Sequence, residues 1–115
     1  MQAGMYRGEG REQVAWNSAL TADMIFSQPV VYEFPLLSMP VILLIGDQDN
    51  TAIGKDAAPE ELRSTLGNYA KLGPATAEAI PNANLIRFAD LGHSPHIQAP
   101  ERFHPAFLQA LGSEQ

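Results

Sequence analysis

Val41-Ile42-Leu43-Leu44-Ile45-Gly46-Asp47-Gln48-Asp49 is the stretch that decides how this chain of 115 residues is read. It opens after Pro40 as a short run that is apolar on both faces, which suits a parallel strand covered by helices on two sides. Gly46 stops the run, and two acids follow in the loop beyond it. Much later Leu85, Ile86 and Phe88 predict a second short strand, and Asp90-Leu91-Gly92-His93-Ser94-Pro95-His96 follows that one. Helical pattern lies between the two strands and again after the second, the order of a βαβ unit. Parallel strands joined in this way end on the same edge of the sheet. Asp49 and His93, far apart in sequence, are thereby expected at one rim, where open α/β sheets bind ligands.

The intervening segments follow from their breakers. Met1 to Gly10, with three glycines, reads as a loop. From Arg11 to Phe26, Trp16, Leu20 and Met24 recur at i, i+4 and i+8, a helical stripe that Pro29 closes. Val30-Val31-Tyr32 reads as extended and, bracketed by Pro35 and Pro40, as a crossing segment rather than a central strand. Residues 50–58 are a loop, and Pro59-Glu60-Glu61-Leu62 begins a helix with its acids at the positive end of the helix dipole. Gly67 interrupts it, Pro74 starts another over Ala75 to Ile80, and Pro81 to Asn84 turn the chain. The last helix is expected from Pro100 to Leu111, burying Phe103, Phe107, Leu108 and Leu111.

Composition narrows the function classes. Seven basic and thirteen acidic residues give a net charge of -6, with the cations scattered singly, so nucleic acid is not an expected partner. No apolar run is long enough to span a bilayer and no signal-peptide pattern opens the sequence, so neither a membrane partner nor export is expected. Cysteine is absent, which removes disulfides and thiolate chemistry and fits a cytoplasmic location. The aromatic and Met residues Trp16, Met24 and Phe26 read as core at helical spacing rather than as the lining of an acyl pocket.

Met39 to Asp49 and Gly92-His93-Ser94-Pro95-His96-Ile97-Gln98-Ala99-Pro100-Glu101-Arg102-Phe103 resemble the C-terminal blocks of α/β-hydrolase fold enzymes, over roughly residues 30–115. The resemblance implies a partial α/β-hydrolase, residues 40–115 contributing the last parallel strands of the sheet with flanking helices; residues 1–39, of which 1–29 match no motif, are expected to be part of a helical cap or a linker segment with one helix. It implies Asp49, three residues after the strand-ending glycine, as the triad acid, and His93, after Gly92, as the triad base. Asp47 competes for the acid's role but has less reach from the strand end. For Asp49 the plainer alternative is a carboxylate that satisfies loop N–H groups, and for His93 a loop histidine without a task. The chain order of acid then histidine agrees with the order Ser, Asp, His.

The chain departs from that pattern in what precedes the acid. No Gly-x-Ser-x-Gly is present, and Ser18, Ser27, Ser38, Ser64, Ser94 and Ser113 all lack a glycine-flanked strand-to-helix turn. Ser94, adjacent to the histidine, is too near to be its nucleophile. The stretch from Asp49 to His93 is longer than the family commonly shows, so residues 55–80 are expected to add a helical insertion beside the site. The expected function is therefore the C-terminal part of an enzyme that hydrolyses an ester or related bond of a small-molecule substrate, its nucleophile lying elsewhere, with this chain inactive alone. An aspartate nucleophile, as in dehalogenases and epoxide hydrolases, keeps the same acid and histidine and is a second reading. A third is a non-catalytic interaction or remnant module, a dimer formed by self-association of the open half-sheet, so the expected partner is a missing N-terminal half or a second copy. No cofactor is expected. A metal held by Asp90, His93, His96 and His104 is disfavoured, because His-x-x-His across a proline-containing loop lacks the i, i+4 geometry of a zinc helix. His96 reads as structural or pocket-lining and His104 as surface.

Overall fold

Strand β1, Val41–Gly46, is built from the apolar run and pairs in parallel with β2, Ala83–Phe88, in a register that sets Leu44 opposite Ile86 and Gly46 opposite Phe88. A computed structural model describes residues 6–113 of the chain. These divide into two compact units, Met1–Tyr32 and Glu33–Gln115, and the sheet lies in the second. Because successive strand residues point to opposite faces, the two strands sort their side chains into two layers. Ile45 faces helix α3, Tyr69–Ala79, with its Cγ2 packed against Gly73. Leu44, Ile86 and Phe88 face the other way, onto Phe103 and Ala106 of helix α5, Pro100–Ser113, together with Leu91 and Ala99. The unit is thus a helix, two parallel strands and a helix in three layers.

Between β1 and β2 the chain makes a 3-10 turn at Lys55–Ala57, a short helix α2 at Glu60–Arg63, and then α3. Helix α3 packs on both strands, so it is the crossover helix of the βαβ unit rather than an insertion beside it. It begins five residues before Pro74, which lies inside the helix and not at its start. A proline has no N–H to give the carbonyl four residues back. Here that carbonyl belongs to Ala70, and the Arg87 guanidinium of β2 donates to it at 3.4 Å. Strand β2 starts at Ala83, two residues ahead of the apolar positions that mark it in sequence.

Two further expectations are corrected. Val30–Leu36 forms a 3-10 helix with Pro35 inside it, not an extended segment, since proline's fixed φ fits a 3-10 turn as well as a strand. In α5 the inward positions are Phe103, Ala106 and Ala110, while Phe107, Leu108 and Leu111 are exposed, Leu108 by 65%. The ring of Phe107 stacks instead on that of Phe103, with centroids 6.0 Å apart.

The smaller unit carries α1, Arg11–Ser27, whose ladder is reinforced by Ser18, Thr21 and Ser27 donating back to the carbonyls of Val14, Asn17 and Asp23. None of its residues is buried, and Trp16, Leu20 and Met24 are all exposed, so the predicted stripe is not core. Tyr6 to Gly10 are turns and bends, and the loop expected over residues 1–5 lies outside the described residues. Among the described residues no helix is long and apolar enough to cross a membrane.

Candidate functional site

Two loops leave the C-terminal ends of β1 and β2 side by side, and backbone hydrogen bonds hold them together. The Asp47 N–H donates to Phe88 O at 3.0 Å and the Gln48 N–H to Leu91 O at 2.9 Å, while the Gln48 side chain donates to Ala89 O at 2.9 Å. The approach is possible because residue 46 is glycine: a Cβ there would stand 2.6 Å from the Leu91 carbonyl oxygen and closer still to that of Gly92. From behind, Gly67 presses on the acid loop with a φ of +69°, where a Cβ would meet the Asn50 and Thr51 carbonyl oxygens at 2.6 and 2.5 Å. Gln98, on the short helix α4 (Pro95–Gln98), anchors the histidine loop by accepting the Gly92 N–H at 2.8 Å.

This clamp brings Asp49 and His93 together across 44 residues of sequence, with His93 Nδ1 2.8 Å from Asp49 Oδ2. The carboxylate is 7% exposed and the imidazole 67%, so the acid sits beneath the ring and the Nε2 edge points away from it. Asp49 Oδ1 accepts two bonds from Thr51, from its N–H at 2.9 Å and its hydroxyl at 2.7 Å. The carboxylate therefore does both things its position in sequence allowed, satisfying a loop N–H with one oxygen and binding an imidazole with the other. With Nδ1–H donating to the carboxylate, Nε2 keeps its lone pair and is free to accept a proton. Burial alone would push the Asp49 carboxyl up, but the Thr51 N–H, His93 and the Thr51 hydroxyl outweigh it and hold the group below the usual carboxylate range.

The neighbouring candidates are engaged elsewhere. Asp47, two residues closer to the strand, pairs with Arg87 at 2.8 Å, a partner that the parallel register supplies by setting Arg87 opposite Ile45. Asp90 binds Arg102 through both oxygens at 2.6 and 2.8 Å. His96 and His104 lie edge-on to the Phe103 ring at 5.8 and 6.1 Å. Among the described residues no group of three or more acidic or histidine side chains is placed to hold a metal ion. Nor does a serine hydroxyl hydrogen-bond to His93 there.

Thr51 is the site residue that the sequence reading missed. Its hydroxyl lies 3.1 Å from His93 Nδ1 as well as 2.7 Å from the Asp49 carboxylate. The signal available was an Asp followed two residues later by Thr, a common turn pattern that by itself says nothing about a histidine 42 residues on.

No protein-family model and no curated protein matches the chain. Among solved structures it is similar to a probable hydrolytic enzyme from Pseudomonas aeruginosa PAO1, at 70% sequence identity and a TM-score of 0.91 over 96% of this chain. The match covers 35% of that enzyme's chain, so the present chain spans about a third of its length.

Proposed function

We propose that this chain is the C-terminal part of an α/β-hydrolase that acts in the cytoplasm and cleaves an ester or related bond of a small molecule through a Ser-Asp-His triad. Asp49 and His93 are its acid and base, and the serine comes from outside the residues of this chain. The observation that carries the reading is the 2.8 Å bond between His93 Nδ1 and a buried Asp49 oxygen, with the opposite edge of the ring open. The similarity to part of a probable hydrolytic enzyme supports it.

Chemically, a serine hydroxyl attacks slowly until an imidazole lone pair takes its proton. Asp49 keeps His93 in the tautomer that has the lone pair at Nε2, and its charge then stabilises the imidazolium as the proton arrives. The same Nε2–H afterwards protonates the leaving alkoxide, and a water activated in the same manner releases the acyl group. The oxyanion donors belong with the nucleophile, so both lie outside this chain and the chain alone is inactive. Residues 1–39 are assigned to the cap or to a linker segment.

The test is to exchange this chain for the matching segment of the Pseudomonas enzyme and measure p-nitrophenyl ester hydrolysis and fluorophosphonate labelling. The chimera is expected to hydrolyse and to be labelled, and His93→Ala to lose about three or more orders of magnitude in kcat. Undiminished turnover in His93→Ala overturns the reading. An active chimera that resists the fluorophosphonate and takes heavy oxygen from solvent water into a carboxylate points to an aspartate nucleophile instead.

A further inference from the structure

We propose that Thr51 is the positioning residue of the Asp49–His93 pair, its hydroxyl locking both the carboxylate rotamer and the imidazole tautomer; the inference rests on the reading of that pair as a proton-transfer site. The geometry carries it. A carboxylate held by one bond at Oδ2 can turn about its Cβ–Cγ axis, because that terminal torsion is broad. Thr51 stops the rotation by placing two donors on the other oxygen, its N–H at 2.9 Å and its hydroxyl at 2.7 Å. The backbone donor would be present with any residue but proline at this position, so the hydroxyl is what threonine adds.

The hydroxyl has a second consequence. A Thr51 oxygen that has spent its proton on Asp49 Oδ1 turns lone pairs outward, and His93 Nδ1 is 3.1 Å away. Nδ1 then faces two acceptors, Asp49 Oδ2 and Thr51 Oγ1, and a proton on Nδ1 satisfies both. Moving that proton to Nε2 would set the Nδ1 lone pair against the same two oxygens. Thr51 itself is exposed, so its hydroxyl is not explained by burial, and it caps no helix.

The test reads the tautomer directly, by nitrogen NMR of the His93 ring in the intact chain, alongside exchange of the Thr51 hydroxyl proton. Thr51→Val deletes the hydroxyl at nearly constant shape, Thr51→Ala deletes it without adding bulk, and Thr51→Ser keeps it. Wild type and Thr51→Ser are expected to hold the proton on Nδ1, and Thr51→Val and Thr51→Ala to lower the Nδ1–H to Nε2–H ratio about three- to tenfold. In the chimera the same deletions are expected to lower kcat by a similar factor with KM unchanged. An unchanged ratio in both deletions, or rapid exchange of the hydroxyl proton in wild type, overturns the proposal. Asp49→Asn separates this from failure of the underlying reading: if that substitution also leaves the ratio unchanged, the Asp49–His93 pair itself is not the determinant.

Discussion

Replacing Asp49 by Asn alters one atom, and the surrounding donors dictate where the change falls. Thr51 presents two donors to Oδ1, so the amide oxygen stays there and the amide N–H₂ is turned toward His93 Nδ1. A donor facing Nδ1 moves the ring proton to Nε2 and removes the lone pair that the proposed mechanism needs. Asp49→Asn in the chimera should therefore lose about four orders of magnitude in kcat with KM little changed, read from steady-state ester hydrolysis. The same carboxylate links stability to pH. Its pKa is depressed in the folded state, so its contribution is fully present above the unfolded value of about 3.9 and is lost as pH falls through the lower folded value. Urea midpoints measured between about pH 5 and pH 2 should fall less steeply in Asp49→Asn than in wild type. Some slope should remain, because the bond from Arg102 also holds the Asp90 carboxyl low. Asp49 and His93 stood out in the sequence through the resemblance of their two blocks to α/β-hydrolases, and the loops past the two strand ends bring them within 2.8 Å. Thr51 did not stand out, because its second contact exists only once the two loops meet.

Among the elements, β1 was the most legible, since a run apolar on both faces leaves few places to put it other than between helices. Less legible was the start of α3. Proline normally marks a helix's first turn, and only the pairing of β2 beside it reveals that Arg87 donates to the Ala70 carbonyl that Pro74 leaves open. The outward turn of Leu108 and Leu111 was equally hidden, because apolar periodicity shows a stripe without showing how much of it this chain covers. Helix α1 makes the same point with Trp16 and Met24. The joint between the two site loops is the element most sensitive to substitution. Gly46→Ala drives a Cβ into the Leu91 and Gly92 carbonyls, and neither backbone oxygen can give way without moving the histidine loop. It should cost about 1–3 kcal/mol, the usual range for overpacking, and should speed amide exchange at Gln48, whose N–H is bonded to Leu91 O. Gly112→Ala in α5 meets open space and serves as the control, neutral or stabilising by up to about 1 kcal/mol.

For the whole molecule, what matters is how little it buries. Among the described residues the buried apolar side chains are Ile80, Phe88, Leu91, Pro95, Ala99 and Ala110, and no large side chain is fully enclosed. Two parallel strands make a sheet with two open edges, and parallel sheets are otherwise found covered and extended by further strands. Exposed Leu36, Met39, Ile97 and Leu111 in the same unit add apolar surface that water solvates at a cost. Such a unit gains stability from whatever closes its edges, whether the remaining portion of a longer hydrolase or a second copy. On its own the chain should bind an apolar dye and sediment with a mass that rises with concentration. Joined to the rest of the Pseudomonas enzyme, it should lose both properties, and its Tm should rise by more than about 5 °C, the shift that about 1 kcal/mol produces in a domain of this size. A dye-negative monomer at every concentration, melting no lower than the chimera, would mean that the two strands and their helices are sufficient by themselves. The rest of the enzyme would then supply only the nucleophile and the oxyanion donors, and adding it in trans would be the direct route to restoring activity.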